Sequence, residues 1–259
     1  MRIALGVEYH GSNFNGWQAQ PGQRTVQDSL TQAVSFVANH QIEVHAAGRT
    51  DTGVHALNQV VHFDTEAQRS DRGWLLGINT NLPEDISINW VKPVDESFHA
   101  RFSATQRSYR YLILNRLSRS AVHYQRMWWT HKAIEIEHMQ AAADLLTGHH
   151  DFSAFRAVEC QAKSAMKTVD TITVSRHQDC IAIDVSARSF LHHMVRNLVG
   201  VLVPIGEGKK PVQWAAEVLE SCDRNQAGIT APAEGLYLTD VQYPQHFQLP
   251  GVSGFPVLW

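Results

Sequence analysis

The sequence predicts an α+β protein made of two ferredoxin-like halves, β-α-β-β-α-β, joined through antiparallel sheets with an active-site cleft between them. Three observations lead there. Strand-like alternation and helix-like periodicity follow the same order in both halves of the 259-residue chain, 44% of residues are hydrophobic, and that length holds two ordinary domains.

Arg2 to Tyr9 alternates apolar and polar residues as a strand does, and Gly11-Ser12-Asn13-Phe14-Asn15-Gly16 with Pro21-Gly22 marks the loop after it. Thr25 with Asp28 forms a capping box opening a helix, in which Val26, Leu30, Ala33, Val34 and Val37 recur at helical spacing. A short apolar approach, Ile42 and Val44, leads into Gly48-Arg49-Thr50-Asp51-Thr52-Gly53, and a strand resumes over Asn58 to Asp64. A helix near Ser70 to Ile78 and a strand from Ile86 to Val94 complete the first half.

The second half repeats the pattern without repeating the residues. Arg107 to Leu114 is a strand, and Glu135 to Leu146 a helix with Met139, Ala142, Ala143 and Leu146 on one face. Strands over Thr168 to Arg176 and Cys180 to Ser186 flank a His177-Gln178-Asp179 turn. A helix over Ser189 to Ile205, an added helix over Pro211 to Leu219 and a strand from Leu236 to Tyr243 follow. The domains are therefore 1–104, bearing the Asp51 turn, and 105–259. The tail from Pro244 reads as irregular, and its apolar end, Val257-Leu258-Trp259, suits docking on the body of the protein or on a partner subunit.

No basic segment followed by a long apolar one opens the chain, and the longest apolar stretch, Phe190 to Ile205, is broken by His192, His193, Arg196 and Asn197. Three widely spaced cysteines, Cys160, Cys180 and Cys222, fit neither a disulfide framework nor a zinc motif. A cytoplasmic protein with reduced thiols is expected, with neither membrane nor DNA as partner.

The net charge is −3, but its distribution is uneven. No acidic residue lies between Glu96 and Glu135, where Arg101, Arg107, Arg110, Arg116, Arg119, Arg126 and Lys132 fall. The rest of the chain keeps 15 basic residues against 25 acidic ones. Tyr109, Tyr111, Tyr124, Trp128 and Trp129 interleave with these cations, as in a surface that grips phosphates and stacks bases; a solvated basic face over core aromatics is the plainer reading.

Asp51 is the candidate carboxylate, although Asp, Thr and Gly also make ordinary turns. Asp51-Thr52-Gly53 is in addition the tripeptide of aspartic proteases, which need two such carboxylates sharing a proton; this chain has one, with Arg49 opposing a shared proton. Arg196 lies in a very apolar helix, and a buried arginine needs an acid partner, for which Asp51 is a candidate; alternatively it reaches the surface at a helix end. Adjacent His192 and His193 lack further ligands at metal spacing and read as core or helix-packing residues.

Six segments, in order along the chain, resemble the motifs of the tRNA pseudouridine synthase A (TruA) family. They are Gly48 to His55, Phe98 to Ala104, Tyr109-Arg110-Tyr111, Asp151 to Arg156, Phe190 to Asn197 and Glu234 to Leu238. The resemblance implies an isomerase that converts uridine to pseudouridine at positions 38, 39 and 40 of the tRNA anticodon stem-loop, as a homodimer without metal or cofactor. It implies that Asp51 is the essential carboxylate, that Arg49 helps expel the target nucleotide, and that Tyr109 stacks on the uracil. By the same match Arg196 pairs with Asp51 and Leu236 packs on the base from the opposite side. Arg69, the segment Phe98, His99, Ala100, Arg101 and Phe102, and the segment Glu159, Cys160, Gln161, Ala162 and Lys163 match positions that contact tRNA. Arg116 to Tyr124 follows the family loosely. A catalytically silent RNA-binding protein of the same fold is the competing expectation.

Overall fold

A computed structural model describes residues 1–251; Val257-Leu258-Trp259, expected to dock, lie outside them. The chain divides into two compact units, Met1–Arg107 with the described residues from Tyr237, and Ser108–Leu236.

In the first unit β1 (Arg2–Tyr9) pairs antiparallel with β3 (His55–Asp64) on one side and β4 (Ile86–Val94) on the other. The two-residue β2 (His45–Ala46) adds antiparallel to β3 opposite Val61 and His62. With α1 (Val26–Ala38) between β1 and β2, and α2 (Asp71–Asn81) between β3 and β4, this is the ferredoxin-like order that the sequence predicts. The Thr25 hydroxyl caps α1, accepting the Asp28 amide and donating to its carboxylate, and Ser70 caps α2 by accepting the Gly73 amide. The helices bury Val26, Leu30, Val34, Trp74 and Ile78, and the Trp74 ring meets Phe63 of β3 edge-on at 5.4 Å. All but two residues of β3 are fully buried, including the polar His55, Asn58, Gln59 and His62.

The second unit contains β5 (Gln106–Asn115), β6 (Trp128–Thr130), α3 (Ile136–Asp144), β7 (Gly148–Asp151), β8 (Met166–His177), β9 (Cys180–Ala187), α4 (Met194–Gly206) and α5 (Trp214–Ser221). Its strands lie in the order β5-β9-β8-β7, with β6 parallel to β5. Two of these strands, β6 and β7, are additions to the predicted pattern. The last strand, β10 (Leu236–Gln242), sets Tyr237 and Leu238 parallel to His55 and Ala56 of β3. From Tyr237 it therefore groups with the first unit, whereas the sequence reading left it with the second and set the boundary at residue 104.

The start of α4 also differs from expectation. His193 takes a left-handed conformation (φ 62°) as the residue before the helix, so Ser189 to His193 are not helical and Arg196 sits in the first turn of α4. His192 is exposed rather than core, and His193 is half-buried with its ring 4.0 Å from that of His192. No helix among the described residues is long and apolar enough to cross a membrane.

Candidate active site

The loop carrying Asp51 connects β2 to β3 and is shaped by backbone. The Val54 amide donates to the Asp51 carbonyl (3.1 Å), closing a β-turn whose third residue, Gly53, has φ 80°. That position of a type II turn demands a positive φ, which glycine alone adopts without strain. A second loop, the residues after β1, braces this turn. The Trp17 amide donates to the Thr50 carbonyl (3.0 Å), and the Gly53 amide to the Phe14 carbonyl (3.4 Å). Gly16 (φ 79°) approaches so closely that a Cβ there would stand 2.7 Å from the Thr50 carbonyl oxygen.

Side chains complete the brace. The Tyr9 and Thr50 hydroxyls share a buried hydrogen bond of 2.7 Å, and the Gly11 amide donates to Nδ1 of His55 (2.9 Å), which puts the His55 proton on Nε2. The His55 ring lies between those of His10 (4.7 Å) and Tyr237 (4.6 Å). The Gln59 amide holds the Gly48 carbonyl (2.7 Å), and Arg107 Nη2 holds that of Ala47 (2.8 Å). Between these fixed points Asp51 is half-buried, while Arg49 and Thr52 are exposed. The arrangement presents one carboxylate from a rigid turn and leaves the neighbouring guanidinium in water.

In the second unit, Arg196 Nε donates to the Ala231 carbonyl (2.8 Å), and the Ala231 amide returns a bond to the Arg196 carbonyl (3.1 Å). Asn197 beside it is buried, donates to the Phe155 carbonyl (2.8 Å) and accepts from Thr230 (2.7 Å). The irregular segment leading to Leu236 is thus tied to the first turn of α4, and Leu236 is buried. Tyr109 on β5 is half-buried, with Phe190 edge-on at 5.1 Å. Tyr111, two residues on, points into the core and donates its hydroxyl to the Pro232 carbonyl (2.7 Å); burial, helped by Glu234 and opposed by Arg196, raises its pKa well above that of free tyrosine.

The remaining expected tRNA contacts divide by exposure. Arg69, Arg101, Glu159, Gln161 and Lys163 are exposed, and Phe102 is 73% exposed. His99 and Ala162 are half-buried, and Phe98, Ala100 and Cys160 are buried, so the side chains of these last three are not presented to solvent. The cationic stretch divides too. Arg107 and Arg110 hold internal partners, Arg110 through a bidentate pair with Asp184 (2.7 and 2.9 Å), whereas Arg119 and Arg126 are exposed beside exposed Tyr124 and Trp129. Sequence reasoning missed Tyr9, Gly16, His55 and Gln59 as supports of the Asp51 loop. The signal available was a run of polar residues inside an otherwise apolar strand.

The braced carboxylate turn lies in the same unit as exposed Arg69, Arg101 and Phe102, the kind of equipment an RNA-directed enzyme uses. The family described as tRNA pseudouridine synthase matches residues 6–103 and 142–244. Over all 259 residues the chain is 53% identical to the tRNA pseudouridine synthase A of Nitrosococcus oceani, covering 100% of both proteins. It is 54% identical over 257 residues to that of Pseudoalteromonas atlantica, covering 99% of this chain and 98% of the relative, and 52% identical over 250 residues to that of Colwellia psychrerythraea, covering 96% of each. The chain belongs to the tRNA pseudouridine synthase family.

Proposed function

We propose that this tRNA pseudouridine synthase acts on the anticodon stem-loop, at positions 38, 39 and 40, and that Asp51 is its essential carboxylate. The observation carrying this reading is the placement of Asp51 in the Gly53 turn, braced by the loop after β1 and next to exposed Arg49. Isomerisation breaks the C–N glycosidic bond of uridine, turns the freed uracil and joins its C5 to the same ribose carbon, so nothing is oxidised and no group is imported. A carboxylate enters such a reaction by attacking the sugar carbon, adding to the ring or removing a ribose proton.

A base in a stem is reached only after flipping, at a cost of a few kcal/mol that stacking and phosphate contacts offset. Arg49 takes the place of the expelled nucleotide, Tyr109 stacks on the uracil and Leu236 packs on it from the opposite side. Arg196 pairs with Asp51 and aims it. Arg69, Arg101, Phe102 and the Glu159 to Lys163 segment grip the tRNA, and the enzyme works as a cytoplasmic homodimer.

The test is Asp51→Ala, followed by tritium release from C5-labelled uridine in tRNA and by mapping of pseudouridine. We expect tRNA affinity within about threefold of wild type, because phosphate contacts carry most of it, and no isomerisation at the three positions. Full activity in this variant would overturn the role of Asp51. A wild-type protein that binds tRNA and releases no tritium would instead favour the silent RNA-binding reading.

A further inference from the structure

The turn from Phe98 to Ser103 closes on itself through the Ser103 amide and the His99 carbonyl (2.9 Å), and side chains from elsewhere in its unit hold its other carbonyls. The Phe98 carbonyl accepts from Arg2 Nη1 (2.7 Å), the Ala100 carbonyl from the Tyr243 hydroxyl (2.7 Å) and the Arg101 carbonyl from Arg107 Nη2 (2.8 Å). Three of its amides end on imidazoles. Ala100 donates to Nδ1 of His62 (3.2 Å), while Arg101 and Phe102 both donate to Nδ1 of His99 (3.1 and 3.4 Å). An imidazole nitrogen accepts only when unprotonated, so both rings work in their neutral form.

The rings also form a mechanical path to the surface. His62 is buried on β3 and meets His99 edge-on at 4.6 Å; His99 lies 4.3 Å from the ring of Phe102, over which the Arg101 guanidinium stands at 5.6 Å. His45 of β2 stacks on His62 at 5.0 Å and lies 5.8 Å from the His99 ring.

We propose that His62 is a positioning residue for tRNA recognition: through the Ala100 amide and the His99 ring it holds Arg101 and Phe102 in the attitude in which they meet the RNA. The inference rests on the reading of Phe98 to Phe102 as a tRNA contact. The charged and titratable groups facing His62 are Arg2 of β1, Asp64 of β3, His45 of β2, and His99 and Arg101 of the turn, with Glu43 4.0 Å from His45. Burial, followed by His99, Arg2 and His45 and against Asp64, pushes the His62 pKa down to about 3, which keeps the ring an acceptor at any working pH.

The experiment compares His62→Phe, which keeps ring volume and loses the acceptor, with His62→Asn, whose side-chain oxygen takes the place of Nδ1. Hydrogen exchange of the Ala100, Arg101 and Phe102 amides and steady-state kinetics on tRNA are measured in each. His62→Phe should speed exchange at Ala100 and raise KM about five- to tenfold with kcat within about twofold, and His62→Asn should bring both back toward wild type. Unchanged exchange and KM in His62→Phe, or no rescue by His62→Asn, would overturn the proposal. Arg101→Ala separates the two readings: an unchanged KM there removes the tRNA contact, while the exchange data still decide whether His62 holds the turn. Should His62→Phe fail to fold, the pair His99→Phe and His99→Asn reads the same path at the Arg101 and Phe102 amides.

Discussion

Two segments of the first unit hold functional side chains in place, one by a backbone brace that side chains complete, the other mainly through side chains. The Asp51 loop leans on the backbone of another loop, through Trp17, Phe14 and the close approach of Gly16. The Phe98 to Ser103 turn hangs from side chains, those of Arg2, His62, His99, Arg107 and Tyr243. A backbone brace tolerates almost no displacement, which suits a carboxylate that must meet a reacting atom to within a fraction of an ångström. A side-chain brace yields gradually, which suits a grip on a large and deformable partner.

The sharpest way to break this comparison is Gly11→Ala. A Cβ at residue 11 would overlap the Val54 carbonyl, a backbone group that cannot turn aside. We expect a loss of about 3 kcal/mol, read as a lower urea midpoint, and kcat reduced about 100-fold with KM for tRNA little changed. A variant that keeps its kcat would show that the Asp51 loop does not need the brace.

Acidification should separate the two segments next. His62 has a folded pKa of about 3 against about 6.5 in the unfolded chain, so between these values the unfolded state binds more protons and stability falls as pH falls. Between pH 7 and pH 5 the loss from this group is about 2 kcal/mol, and His62→Phe should be spared it. Urea midpoints that move equally in both proteins would count against the assignment.

The smallest effect is expected from Tyr243→Phe, which removes only the hydroxyl bonded to the Ala100 carbonyl. About 1 kcal/mol of stability and a twofold to threefold rise in KM should follow, with kcat unaltered. A fall in kcat as large as that of Gly11→Ala would erase the distinction between the two braces.

Legibility in the sequence follows the same division. β4 spans Ile86–Val94 as read, and α1 begins at its Thr25 cap, because capping and alternation are local signals. β7 went unread because Gly148-His149-His150-Asp151 has no apolar alternation. The α4 boundary was misplaced because the apolar run from Phe190 continues through His193, where a positive φ breaks the helix without proline or glycine to mark it. Asp51, Gly53 and Arg49 stood out as a motif, and Arg196 as a charge in an apolar run. His62, Tyr243 and Arg2 did not, since each meets the Phe98 to Ser103 turn from at least 36 residues away in the chain. Their one trace is composition: a strand with four buried polar residues, β3, has something to hold.

The bond from Arg107 to the Ala47 carbonyl spans 60 residues. During synthesis, then, the strand pair β1 and β3 can form well before the carboxylate loop acquires the supports of Arg107 and Tyr237. A nascent chain halted before residue 107 would hold the whole Asp51 motif without the Arg107 and Tyr237 side chains that complete its brace.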